Sequence, residues 1–103
     1  MAWFRRRKPA AGGRTASRED VAHLEEFVRS RRGVEGFIEP RTTVTETTLL
    51  LIAHDGEWTR RRIDSPQAAR QFAHRLSMPI YDVALVGYPQ RMRDYNARNK
   101  RTT

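Results

Sequence analysis

The sequence contains no cysteine among its 103 residues, and this absence removes a whole class of chemistry. Disulfide bonds, thiolate metal sites and a cysteine nucleophile are excluded, and the chain suits a reducing cytosol. Long apolar runs are also missing: the longest covers residues 49–53, whereas a membrane-spanning helix needs about 20 apolar residues. Residues 1–8 are cationic but no apolar stretch follows them, so we expect no secretory signal and a cytoplasmic location.

Motifs for catalysis and metal binding are equally scarce. The three histidines lie on three different predicted elements without metal-ligand spacing, and the glycines match neither the dinucleotide nor the phosphate-loop pattern. His54 and Glu57 would be neighbours across a hairpin, either as half of a metal site or as an ordinary solvent-facing pair. We therefore predict no catalytic residue, no metal site and no cofactor. An enzyme would need His54, His74, Asp82 or Tyr88 to converge in space.

The net charge of +8 is concentrated at the two ends of the chain. Residues 1–16 carry five cations and no acid, and residues 90–103 carry five cations and one acid. Residues 17–89 are nearly neutral, with ten cations and eleven acids. Apolar content is only 38%, so we expect part of the chain to lie outside the core. The pattern predicts a flexible basic N-terminal arm over 1–16, a domain over 17–89 and a basic C-terminal arm over 90–103.

Capping signals and apolar spacing predict an α+β domain. Ser17 and Asp20 are spaced as a capping box and indicate a helix over residues 17–32. A second helix is predicted to begin after Ser65. Strands are predicted over residues 34–39, 43–54, 57–63 and 80–88. The order α-β-β-β-α-β favours a small, mostly antiparallel sheet of about four strands with two packed helices.

A hairpin is predicted between the second and third strands. Asp55 and Gly56 are typical of a two-residue turn, and such a turn would pair Ala53 with Trp58. We expect the strand over residues 34–39 to lie at the outside of the sheet, where it could accept a partner strand.

Three consecutive arginines follow Trp58 in the third strand. Strand periodicity places Trp58, Arg60 and Arg62 on one side and Arg61 on the other. A basic stripe beside a ring suits single-stranded nucleic acid, because guanidinium groups contact phosphates and bases stack on the ring. In the alternative interpretation, Trp58 covers the core and the arginines pair with acids of neighbouring strands, namely Glu35, Glu39 and Glu46.

Residues 41–48 contain five threonines. Their hydroxyls could line a ligand cleft, and they are also what a half-exposed strand prefers.

The two arms are candidates for binding polyanions. Trp3 and Phe4 precede the N-terminal cations, and Tyr95 stands among the C-terminal ones. Such arms bind phosphates with salt-sensitive affinity and no sequence preference. An anionic membrane surface would also fit the first arm, but the eight residues before Pro9 are short for an amphipathic anchor. A role limited to solubility is a further alternative.

Three stretches carry a resemblance to a known group of proteins. They are IEPRTTVTETT (38–48), AHDGEWTRRR (53–62) and VGYPQRMRDYN (86–96). Together they make most of residues 15–98 similar to small uncharacterised proteins of actinobacteria, some of them labelled oxidoreductases. The resemblance implies a bacterial cytosolic setting and supplies no functional residues. An oxidoreductase would need a cofactor, and the sequence has no motif for flavin, nicotinamide, haem or a redox thiol.

The sequence as a whole favours a small non-enzymatic protein that binds nucleic acid or a ribonucleoprotein. A protein partner or a homodimer is the first alternative and an enzyme of unknown type the second; no small-molecule substrate is identified. The predicted contact residues are Arg5, Arg6, Arg7, Lys8, Trp58, Arg60, Arg62, Arg91, Arg93, Tyr95, Arg98, Lys100 and Arg101.

Overall fold

A computed structural model describes residues 17–102, with side chains as far as residue 100. The predicted N-terminal arm, with Arg5, Arg6, Arg7 and Lys8, lies outside the described residues, as does the side chain of Arg101. The elements are α1 (Arg18–Ser30), β1 (Glu35–Glu39), β2 (Thr48–Ile52), β3 (Trp58–Arg62), α2 (Pro66–Arg75), β4 (Ile80–Asp82), α3 (Val83–Val86) and α4 (Gln90–Thr102). The predicted α+β class and the order α-β-β-β-α-β are confirmed, and two further helices follow β4.

The two predicted helices begin where their capping residues indicated. Ser17 and Asp20 form a reciprocal capping box at α1, in which each side chain accepts a hydrogen bond from the other residue's backbone N–H. Ser65 accepts from the N–H of Ala68 at the start of α2. Both caps satisfy donors that the first helical turn leaves unpaired.

The strands form one sheet in the order β3-β2-β1-β4. β1–β2 and β2–β3 are antiparallel pairs, and β4 runs parallel to β1. The prediction that residues 34–39 form an outer strand is wrong, because α2 carries the chain back across the sheet and places β4 beside β1. The edges among the described strands are β3 and β4.

The hairpin register differs from the prediction by one residue. Ile52, rather than Ala53, pairs with Trp58, and the N–H of Ala53 donates to the carbonyl of Glu57 at 2.8 Å. The loop therefore has three residues, 54–56, and Gly56 adopts a φ of 97° at its last position. Three-residue hairpin loops commonly end on such a left-handed glycine. Because a shift of one residue reverses the facing, Trp58 lies on the side of Ile52.

The sheet has two unequal faces. The first face, which includes Leu49 and Leu51, packs against both α1 and α2 around the fully buried Leu24. The second face carries a smaller cluster of four buried residues, namely Phe37, Leu50, Ile52 and Met92. Met92 belongs to α4, so this C-terminal helix covers the second face.

Three segments depart from their predicted structure. Residues 43–47 are not a strand, because the side chain of Thr42 accepts hydrogen bonds from the next backbone N–H groups and holds a turn. Residues 83–86 form a helical turn capped by Asp82 and ended by Gly87 at a φ of 76°. Residues 90–102 form α4 rather than an arm, and the buried Met92 places this helix in the domain that we expected to end at residue 89.

Candidate functional site

Trp58 is one of the contacts that hold α4 on the sheet. Its indole Nε1 donates to Oδ1 of Asn96 at 2.7 Å, and its ring packs on the cluster of the second face. The guanidinium carbon of Arg60 lies 5.2 Å from the ring centroid. The indole N–H is therefore used within the chain, and a base stacking on the ring from that side would have to displace Arg60.

Arg60 is held in a fork by a single carboxylate. Its Nε and Nη2 donate to the two oxygens of Glu39 at 2.7 and 2.9 Å. Thr48 and Tyr88 also donate to this carboxylate, at 2.7 and 2.5 Å. Burial raises the pKa of Glu39, but the hydrogen bonds from Arg60, Tyr88 and Thr48 outweigh burial and lower the pKa overall. The predicted pairing of the β3 arginines with neighbouring acids is confirmed for Arg60, whose charge is thus neutralised locally.

Arg91 joins the start of α4 to the sheet. Its Nη2 donates to Glu35 at 2.7 Å, and its Nε donates to the carbonyl of Ala53 at 3.0 Å. The side chain is half-buried. Arg91 therefore lies on the inner side of the helix, where it contacts Glu35 and the carbonyl that follows β2.

The remaining described cations of α4 differ from Arg91 in exposure, although Arg98 also contacts the hairpin loop. Arg93, Arg98 and Lys100 are exposed. Arg93 donates to Gln90 at 3.3 Å, and Arg98 donates to the carbonyl of Asp55 at 3.1 Å while its guanidinium carbon lies 5.7 Å from the ring centroid of Tyr95. Neither arginine is paired with a carboxylate among the described residues. The outer side of α4 is consequently a cationic surface.

A second cationic feature lies at the far end of β3. A cleft of about 570 Å³ opens there between the strand and the segment 40–47, and it is lined by Asp20, Val44, Thr45, Glu46, Thr48, Arg60, Arg61 and Arg62. Arg61 pairs with Asp20 at 3.6 Å on the first face. The Nε of Arg62 is buried and has no hydrogen-bond partner among the described residues, a state that costs roughly 1–3 kcal/mol.

The cleft brings together the arginines of β3 and the threonine-rich residues 41–48, which the sequence analysis considered separately. The predicted contact residues included Arg60 and Arg62 but neither Thr45 nor Glu46. The signal was present in the threonine-rich residues 41–48, for which a ligand cleft was one of two interpretations. Sequence spacing does not reveal that this segment turns back beside the last residues of β3, because the turn depends on the hydrogen bonds of Thr42.

The histidines occupy separate positions. His54 is in the hairpin loop and His74 is exposed on α2, while Asp82 caps α3 and Tyr88 contacts Glu39. Among residues 17–102, no group of three or more potential metal ligands comes together.

His23 on α1 forms a polar contact with the sheet. Its Nε2 lies 2.6 Å from the hydroxyl oxygen of Thr59, beside a cleft of about 250 Å³. Burial lowers the pKa of His23, and the nearby Arg61 and Arg31 lower the pKa further. The ring is therefore neutral at neutral pH, and its Nε2 can either donate a hydrogen bond to Thr59 or accept one from it, depending on the tautomer.

Comparisons with known proteins find nothing similar: no protein-family model, no curated protein and no solved structure matches this chain. The resemblance to small actinobacterial proteins therefore stays a prediction. No helix in the described part of the chain is long and apolar enough to cross a membrane.

Proposed function

We propose that this protein binds nucleic acid by contacting the phosphate backbone with the outer side of α4. The cations of residues 1–16, which lie outside the described residues, would add further phosphate contacts. Binding of this kind is driven by counterion release, so it is steeply salt-dependent and carries little sequence preference.

The observation that carries the proposal is the division of α4 into an anchoring side and a cationic side. Met92 is buried in the second face, Arg91 is bonded to Glu35, and Asn96 accepts from Trp58. Arg93 and Lys100 are exposed, and Asp94 is the single acid of the helix. A helix held by one side presents its charges from a fixed scaffold, which reduces the entropy lost on binding.

The contact residues can now be restricted. Arg60 and Arg91 support the proposal only indirectly, because carboxylates of the chain neutralise their charge, and Trp58 does so because its indole N–H is bonded to Asn96. Arg93, Arg98 and Lys100 are the described residues that we propose to contact phosphates. Arg101 belongs with them by its place in the sequence.

The test is fluorescence anisotropy with single-stranded RNA and the full chain, at about 50 and about 200 mM salt. The variant Arg93→Gln/Arg98→Gln/Lys100→Gln removes three charges from α4. The control Arg18→Gln/Arg41→Gln/Arg70→Gln removes three charges from exposed arginines elsewhere. Each phosphate contact on a single strand contributes about 0.7 to the salt slope, so the α4 variant should lower the slope by about 2 and the control by much less.

Two results would contradict the proposal. One is no RNA binding by the unaltered chain at the lower salt concentration. The other is an equal loss of affinity in the two variants, which would indicate general charge attraction without a role for α4.

Self-association is a second candidate function, favoured by the edge strand β4. Leu85 and Val86 are 84% and 56% exposed, and Val86 and Tyr81 line an apolar groove of about 230 Å³ beside this edge. Exposed apolar side chains next to an unpaired strand edge are typical of pairing surfaces. Light scattering should then give a dimer that Leu85→Asp converts to a monomer; a monomeric unaltered chain would contradict this function.

A further inference from the structure

The cleft at the end of β3 contains an arginine that differs from its neighbours. Arg60 is bonded to Glu39, and Arg61 is paired with Asp20. Arg62 has no ion pair among the described residues, and its buried Nε has no hydrogen-bond partner. No hydrogen bond of the Arg62 Nε fixes the guanidinium group. A rotation of the Arg62 side chain could bring the group to an anion in the cleft. The buried, unpaired N–H would then gain a charged hydrogen bond.

A hydroxyl donor stands in the same cleft. The Oγ1 of Thr42 accepts from the backbone N–H groups of Val44 and Thr45, at 3.2 and 3.0 Å, and lies 2.8 Å from Oγ1 of Thr45. The distance allows either hydroxyl to donate; because the two N–H groups occupy both lone pairs of the Thr42 oxygen, we assign the donor role to Thr42. The hydroxyl hydrogen of Thr45 then has no acceptor among the described residues, and Thr45 lines the cleft.

Glu46 restricts what the cleft can hold. Glu46 lines the same cleft and has no ion pair among the described residues. A second carboxylate in the cleft, that of Asp20, is already hydrogen-bonded to the N–H of Ser17 and paired with Arg61. An anionic phosphoryl group alone would be repelled by Glu46, whereas a ligand that also carries hydroxyl groups could donate to it.

We propose that this cleft binds the phosphate monoester of a hydroxyl-bearing small molecule, of the size of a sugar phosphate. Arg62 and Thr45 would donate to the phosphoryl oxygens, and Glu46 would accept from a sugar hydroxyl. A volume of about 570 Å³ lies within the usual range for small-molecule sites. This proposal goes beyond nucleic-acid binding by α4, because it concerns a different ligand and residues at the opposite end of β3.

The experiment is an NMR titration of the full chain with ribose 5-phosphate, with ribose and inorganic phosphate as separate probes. We expect ribose 5-phosphate to shift amides of residues 42–48 and 60–63 with a Kd of about 1 mM or tighter. Ribose and inorganic phosphate should each bind at least about tenfold more weakly, since each lacks one half of the contacts.

The variants separate the parts of the cleft. Thr45→Val removes the donor, and Thr43→Val removes a hydroxyl from an exposed neighbour that does not line the cleft. We expect Thr45→Val to weaken ribose 5-phosphate binding about fivefold or more and Thr43→Val to leave it unchanged. Glu46→Gln should weaken ribose 5-phosphate binding and strengthen that of inorganic phosphate. Arg62→Lys, which keeps the charge but loses the fork, should weaken both ligands.

Three outcomes would overturn the proposal. These are no amide shift at about 10 mM ribose 5-phosphate, equal effects of Thr45→Val and Thr43→Val, or inorganic phosphate binding as tightly as ribose 5-phosphate. The two proposals fail separately. The variant Arg93→Gln/Arg98→Gln/Lys100→Gln should keep ribose 5-phosphate binding, and Thr45→Val should keep RNA binding.

Discussion

The two faces of the sheet are built in different ways. On the first face, α1 and α2 bury an apolar core that includes the fully buried Leu24 and Leu51. On the second face, α4 contributes one buried apolar residue, Met92, and is otherwise attached by polar contacts such as Arg91 with Glu35 and Trp58 with Asn96. Apolar burial supplies most of the stability of a domain, whereas solvent-accessible polar contacts contribute little. The comparison indicates that the first face contributes the larger share of the stability and that α4 is docked on the second face mainly by polar contacts.

The largest effect should come from a truncation on the first face. Leu51→Ala leaves a cavity under two helices, and we expect the free energy of unfolding to fall by about 3–4 kcal/mol. Denaturant unfolding followed by circular dichroism measures this loss. All amides of α1, α2 and the sheet should lose protection against hydrogen exchange together, and a loss confined to one helix would contradict a single cooperative core.

A truncation on the second face should have a smaller and more local effect. Met92→Ala removes the one buried apolar side chain of α4, so we expect a loss of about 2 kcal/mol, at the low end for such a change. Hydrogen exchange should show α4 unprotected while the sheet keeps its protection. If α4 instead stayed as protected as β2, the helix would not be separable from the domain.

The smallest effect should be a pH dependence on the first face. The pKa of His23 is lowered below 6.5 by burial and by Arg61 and Arg31, so the folded protein holds fewer protons than the unfolded chain. The contribution of His23 to the free energy of unfolding is therefore fully present above pH 6.5, and it is lost as the pH falls from 6.5 towards the lower pKa of the folded state. Denaturant unfolding between about pH 8 and pH 5 should show this decline.

The matched control for this dependence is a histidine outside the core. His23→Gln should reduce the decline between the two pH values, whereas His74→Gln alters an exposed residue of α2 and should leave the decline unchanged. The same pH dependence in the two variants would show that groups other than His23 cause it.

Local signals were sufficient for the elements of the first face. Ser17 caps α1 with Asp20, and Ser65 caps α2 by accepting from Ala68; both contacts join near neighbours in sequence, so they could be identified without knowing the fold. Glu25 and Arg29 have the i,i+4 spacing of a helical ion pair, another local signal, and they lie 3.8 Å apart in α1.

The second face depends on contacts between distant residues, and there the predictions were wrong. α4 is too polar to be recognised as part of a domain, since its inner side uses Arg91 and Asn96 as well as Met92. The sequence predicts a strand over the apolar run 83–86, because a short apolar run does not distinguish a strand from a helical turn. The side chain of Asp82 accepts a hydrogen bond from the N–H of Ala84 and so caps the helical turn.

The candidate sites were likewise predictable where local spacing determines them and not where distant residues do. The facing of Trp58, Arg60 and Arg62 followed from strand periodicity and is confirmed relative to Arg61. The sequence did not show which arginines lack a carboxylate partner. Arg60 has one only because Glu39, on β1, reaches it across β2. The hydroxyl of Thr45 became a candidate only through the turn formed by Thr42.

Gly56 links the structure of the hairpin to the docking of α4. A Cβ at this position would lie 2.1 Å from the carbonyl oxygen of Arg91, so the helix rests on a loop that has no side chain there. A hairpin formed one residue out of register would turn Trp58 to the first face and leave Asn96 without its donor. α4 can therefore dock in this way only on a correctly paired hairpin, so its docking stabilises the native register of the sheet over a shifted one.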